Sequence, residues 1–144
     1  MTYELGTIKV EAEIHEEDPG TVESLQDVVA RYDTLGEEQK EHFYALFLNN
    51  ANTVIGDKLI GLGSRDQVQF DISDLVRTAA LVNAGAAIII HNHPSGTPEP
   101  TDQDIEATRE VENAMDALGV KLLDHVIITR TESYSMKQHG RGPF

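Results

Sequence analysis

At 144 residues, with 25 acidic against 11 basic residues and a net charge of −14, the chain has the size of one domain and lacks the basic balance of a phosphate-binding surface. Its Lys and Arg are scattered, it has no cysteine for disulfides or thiolate ligands, and its longest strongly apolar run, AGAAIII at 84–90, is far too short to cross a bilayer. The first residues show neither a basic n-region nor an apolar h-region, so no signal peptide is expected, the cytoplasm is the default compartment, and the acid excess reads as solubility or, more sharply, as adaptation to a saline cytoplasm.

Residues 1–20 read as an N-terminal arm. Ile8, Val10, Ala12 and Ile14 alternate with polar neighbours, which predicts a strand, and HEEDPG at 15–20 is a polar turn. Residues 21–144 read as the domain proper. Thr21 is placed to cap a helix reaching about Tyr32, with Val22, Leu25, Val28, Val29 and Tyr32 on one face. DTLGEEQK at 33–40 is a polar connector. HFYALFL at 42–48 predicts a buried strand, NNAN a turn, and TVIGDKLIGLG the returning partner strand. Asp71 or Ser73 opens a second helix carrying Ile72, Leu75, Val76, Ala79 and Ala80, closed by 83–85. AGAAIII predicts a central strand covered on both faces, and HNHPSGTPEP a loop. Thr101 opens a long helix with Ile105, Thr108, Val111, Met115 and Leu118 as its stripe and Gly119 as its stop. VKLLDHVIIT at 120–129 is a further β-rich run. Strands interleaved with helices predict a layered α/β domain.

One stretch carries chemistry. His91 and His93 sit just past the AGAAIII strand, and in extended backbone residues i and i+2 project to the same face. Asp104 falls in the first turn of the next helix, after a stiff, Pro-rich loop. Two imidazoles and one carboxylate suit a divalent ion, Zn²⁺ best of all, and leave a fourth tetrahedral position open, as catalytic zinc sites do. The bland alternative is a helix cap, Thr101-x-x-Asp104, beside two ordinary loop histidines. Ser95 suits a turn better than a substrate contact, and His125, beside Asp124, suits a satisfied structural histidine better than a fourth ligand. His15 and His139 read as solvated. From its own context Glu41 is a solvated acid beside Glu37 and Glu38.

HNHPSGTPEPTDQD resembles the JAMM (MPN+) metallopeptidase motif: an upstream Glu, then H-x-H, seven residues, Ser, two residues, Asp. NAGAAIII before it, HNHPSG followed by P-x-P, and LLDHVII after it are similar to the RadC branch of that superfamily, over about residues 22 to 137. The resemblance implies a single-domain, three-layer α/β sandwich of the cytidine-deaminase-like type with a mixed sheet. It also implies one Zn²⁺ per chain and hydrolysis of a peptide or isopeptide bond in a peptide or protein substrate. Carried over by position, His91, His93 and Asp104 match the metal ligands and Glu41 the upstream acid that moves the proton. His42, opposite Glu41 by strand alternation, stays outside the site. Thr101 stands where the motif has Ser, keeping the hydroxyl that would meet a developing oxyanion but adding a methyl.

The helix–hairpin–helix region that often precedes the domain in full-length RadC proteins has no counterpart here, which, with the acid excess, argues against direct DNA contact. A metal-stabilised interaction module and an accessory role in DNA repair through protein partners are the alternatives to an enzyme. Deamination, which shares the fold, needs a P-C-x-x-C element that a chain without cysteine cannot supply.

Overall fold

Continuous apolar runs form the centre of one mixed sheet. In the computed structural model, residues 13–14, 20–63 and 68–144 are described. The elements in chain order are β1 (Glu13–Ile14), α1 (Leu25–Arg31), a short 3₁₀ turn (Leu35–Glu37), β2 (His42–Leu48), β3 (Val54–Gly63), β4 (Val68–Phe70), α2 (Ile72–Leu81), β5 (Ala86–Asn92), α3 (Asp102–Ala117), β6 (Lys121–Ile128) and β7 (Ser133–Ser135). The strand expected at Ile8, Val10 and Ala12 lies outside the described residues, as does His15.

The strand order is β1-β3-β2-β5-β6-β7, with β4 on β3. β5 and β6 run parallel, joined through α3; the other pairings are antiparallel. Alternation along β5 sorts its side chains onto two cores. Ala86, Ile88 and Ile90 pack with Val28 and Tyr32 beneath α1. Ala87 and Ile89 pack with Leu75 and Ala79 of α2 and Val111 and Met115 of α3. The result is three layers, α1 over the sheet over α2 and α3. Among the described residues no helix is long and apolar enough to cross a membrane.

The structure differs from these expectations at several points. The first helix starts at Leu25, because Ser24 and Asp27 form its capping box while Thr21 bridges to Thr53. β4 answers to no expectation, since three residues are too few to show a period. The AGAAIII strand does not stop at Ile90: His91 and Asn92 continue it, because His91 pairs with both β2 and β6 and Asn92 with β6. Leu118, expected on the α3 stripe, is exposed as the cap residue, whereas Asp71 caps α2 as expected.

Candidate metal centre

The C-terminal end of β5 turns His91 and His93 onto the α3 side of the sheet, with their Nε2 atoms 2.8 Å apart. Phe43 of β2, the strand partner of His91, stacks on its ring. From the far side α3 delivers Asp104, whose Oδ2 lies 2.9 Å from His93 Nε2 and 3.5 Å from His91 Nε2. Thr101 and Asp104 make a reciprocal cap: Thr101 N donates to Asp104 Oδ2 (2.9 Å) and Asp104 N donates to Thr101 Oγ1 (3.1 Å). The cap and the convergence on the histidines are therefore one arrangement, not alternatives. Glu41, immediately before β2, brings Oε1 to 3.7 Å from His93 Nε2.

Further bonds orient the rings. A carbonyl can only accept, so His93 donates Nδ1–H to Thr97 O (2.7 Å), which turns Nε2 toward Asp104. His91 Nδ1 meets His125 Nε2 at 2.6 Å. Asn92, pointing to the opposite face, clasps the segment that carries Glu41. It accepts from His42 N (2.7 Å) and donates to Lys40 O (2.9 Å). Gly63 N donates to Glu41 O, and a Cβ at Gly63 would stand 2.9 Å from Glu41 Oε2.

Burial would lower His93, but its bonds to Asp104 and Thr97 and the two nearby carboxylates outweigh it, so it lies above the ordinary histidine value. Burial would raise Asp104, yet His91, His93 and Thr101 N hold it well below the usual carboxylate range. Burial lowers His91, and burial followed by the proximity of His91 lowers His125 further. Burial raises Glu41, helped by Asp104 and opposed by His93. His91 Nε2, His93 Nε2 and Asp104 Oδ2 thus converge on one point, a place where a cation satisfies all three. Tetrahedral ligation by bonds of about 2.0–2.1 Å puts donor atoms about 3.3 Å apart. The observed separations of 2.8, 2.9 and 3.5 Å bracket that spacing. Glu41, His91 and His93 also form a group able to hold a metal ion. The donor set fits the metal.

The structure brings Glu41, His91, His93, Thr101 and Asp104 together. His42 points away, its Nδ1 on Lys40 O and its ring stacked on Tyr44. Ser95 accepts within its own turn, from Thr97 N. His139, read as solvated, is exposed, though its ring stacks on Tyr134. His125, read as a satisfied structural histidine, is buried and bonded to His91 and Thr108, and Thr108 lies on the buried stripe of α3 as expected, whereas Asn92 and Gly63 were not foreseen in their positions. Only the middle residue of H-N-H carried a signal, since alternation sends it to the other face.

A family model described as the RadC-like JAB domain matches residues 22–141. Similar relatives are UPF0758 proteins. That of Carboxydothermus hydrogenoformans is 38% identical, over 72% of this chain and 46% of the relative. That of Coprothermobacter proteolyticus is 36% identical, over 81% and 50%. That of Desulforudis audaxviator is 39% identical, over 70% and 44%. The chain belongs to the RadC-like JAB domain family, and it spans about half the length of these relatives.

Proposed function

We propose that this domain is a hydrolase that uses one Zn²⁺ per chain, held by His91, His93 and Asp104, to cleave a peptide or isopeptide bond in a peptide or protein substrate. The observation that carries the reading is the approach of three donor atoms to within 2.8–3.5 Å of one another. Asp104 is assigned as the carboxylate ligand because it is buried, close to both imidazoles and fixed by Thr101 N. Bound zinc supplies an acidified water and a polarised carbonyl.

Glu41 stands outside that set, with its side chain 24% exposed, and its backbone is pinned on both sides. It takes the proton of the attacking water and returns it to the leaving nitrogen. Its burial helps, because a carboxylate held above its usual range is the better proton acceptor. The Thr101 oxygen accepts from Asp104 N, and among the described residues no bond takes its proton, which leaves the hydroxyl able to donate to an oxyanion. The acid excess favours a protein over a nucleic-acid substrate.

Glu41→Gln tests the assignment. The variant should fold and hold its full zinc, since the three ligands are untouched, while turnover falls about 10²–10⁴-fold. Peptide and isopeptide libraries supply the substrate, and zinc content and rate are read on one preparation. Full zinc with unchanged turnover would remove Glu41 from the mechanism. Full zinc with no hydrolysis in any library favours the metal-stabilised interaction module.

A further inference from the structure

Behind His91 the interior holds a chain of polar groups that the proposed hydrolysis does not use. His91, His125 and Thr108 are each at most 1% exposed, and they come from β5, β6 and α3. Thr108 Oγ1 lies 2.6 Å from the carbonyl of Asp104, one helical turn back. A carbonyl only accepts, so the hydroxyl donates there. Met136 Sδ, 3.8 Å from the same hydroxyl, is a weaker and more distant acceptor. His125 Nδ1 stands 2.6 Å from Thr108 Oγ1, whose proton is committed, so Nδ1 carries the hydrogen and donates. A neutral His125 then has its lone pair on Nε2, which accepts from His91 Nδ1 at 2.6 Å. His91 Nε2 is left as a lone pair facing His93 and Asp104.

The direction of every bond follows from one fixed acceptor, the carbonyl of Asp104. The chain begins at one proposed ligand and ends at the other, so it sets both the ring state of His91 and the seating of α3 against β5.

We propose that His125 and Thr108 are positioning residues for the metal centre, holding His91 in the tautomer whose Nε2 can ligate and holding Asp104 in register with it. The inference rests on the metal reading above, and its test separates the two. Thr108→Val keeps the shape and removes the hydroxyl; Thr108→Ser keeps the hydroxyl. His125→Phe removes the next link. Zinc affinity is measured by competition with a chelator. Ring tautomers are read by long-range ¹H–¹⁵N NMR on chelator-treated protein, which needs neither zinc nor a substrate.

Thr108→Val and His125→Phe should weaken zinc binding about 10–100-fold, the usual effect of losing such a partner, and Thr108→Ser should restore it. In the wild type His91 should show hydrogen on Nδ1 and His125 hydrogen on Nδ1; in Thr108→Val the His125 signals should shift toward mixed tautomers. Thr108→Val folds on a conservative change even if His125→Phe does not. Equal zinc affinity in wild type and Thr108→Val, or hydrogen on His91 Nε2 in the wild type, overturns the inference and leaves the metal reading standing. A wild type that binds no zinc sinks the metal reading and this inference with it.

Discussion

Asp104 Oδ2 meets two demands with one atom, closing the cap of α3 and facing both imidazoles. Asp104→Asn separates them, since an amide oxygen still accepts from Thr101 N but carries no charge. Zinc should be lost with α3 intact, whereas Asp104→Ala should lose zinc and about 1 kcal/mol of capping as well. Undiminished zinc in both variants would take Asp104 out of the site. In chelator-treated protein the histidines make folding stability depend on pH in opposite senses. His93 lies above its unfolded value, so its contribution is present below about pH 6.5 and lost as pH rises through the folded value. His91 and His125 lie below theirs, so folding weakens as pH falls beneath about 6.5, where the unfolded chain takes up protons the buried rings refuse. The histidine contribution peaks at about pH 6.5. His93→Gln should flatten the alkaline fall in melting temperature and leave the acid fall; an alkaline fall of unchanged size in the variant would contradict the role given to His93. At this scale the sequence was legible where the geometry is local. His91 and His93 need only strand alternation, and Asp104 only a helix start. His125 was legible as a satisfied structural histidine but its partner was not, because its contact with His91 depends on the β5–β6 register and its shift at Ala87/Ile88.

Elements decide where Glu41 goes. β2 lies antiparallel to β5 with Phe43 opposite His91, so the residue two before Phe43 comes out near His93. That pairing spans some fifty residues of chain, which is why only resemblance to a known motif could single out Glu41. Two other elements hold it there. Asn92 leaves β5 on the opposite face and bonds the backbone on both sides of Glu41. The end of β3 offers a glycine where a methyl would stand 2.8 Å from Glu41 Cβ. Asn92→Ala and Gly63→Ala should each keep zinc and lower turnover by about 10²-fold, the order of loss expected from a misplacement of about 1 Å. Parallel measurement of zinc and rate checks this; loss of zinc together with rate would mean that the changes disturb β5 itself. The central strands β2 and β5 were legible through their continuous apolar runs. The start of α1 was not, because Thr21 and Ser24 are both competent caps and the bridge from Thr21 to Thr53 decides between them.

For the whole molecule the net charge of −14 is the dominant long-range feature. If it reflects a saline setting, added KCl should raise the melting temperature as self-repulsion is screened over a Debye length of about 8 Å or less. A melting temperature flat from low to molar salt would remove that idea. The layered α/β class was legible from the alternation of element types, but the sheet order was not, since it depends on pairings between distant runs. The central strand of that sheet has a further consequence. β5 is buried along its length and bonded on both edges, while Glu41 precedes the first residue of β2. Amide protons of β5 should exchange with deuterium only through global unfolding, whereas those of residues 38–42 should exchange through local opening. If they do, the strand that carries His91 and the segment that carries Glu41 open independently, and the proposed base would be released more often than the histidine.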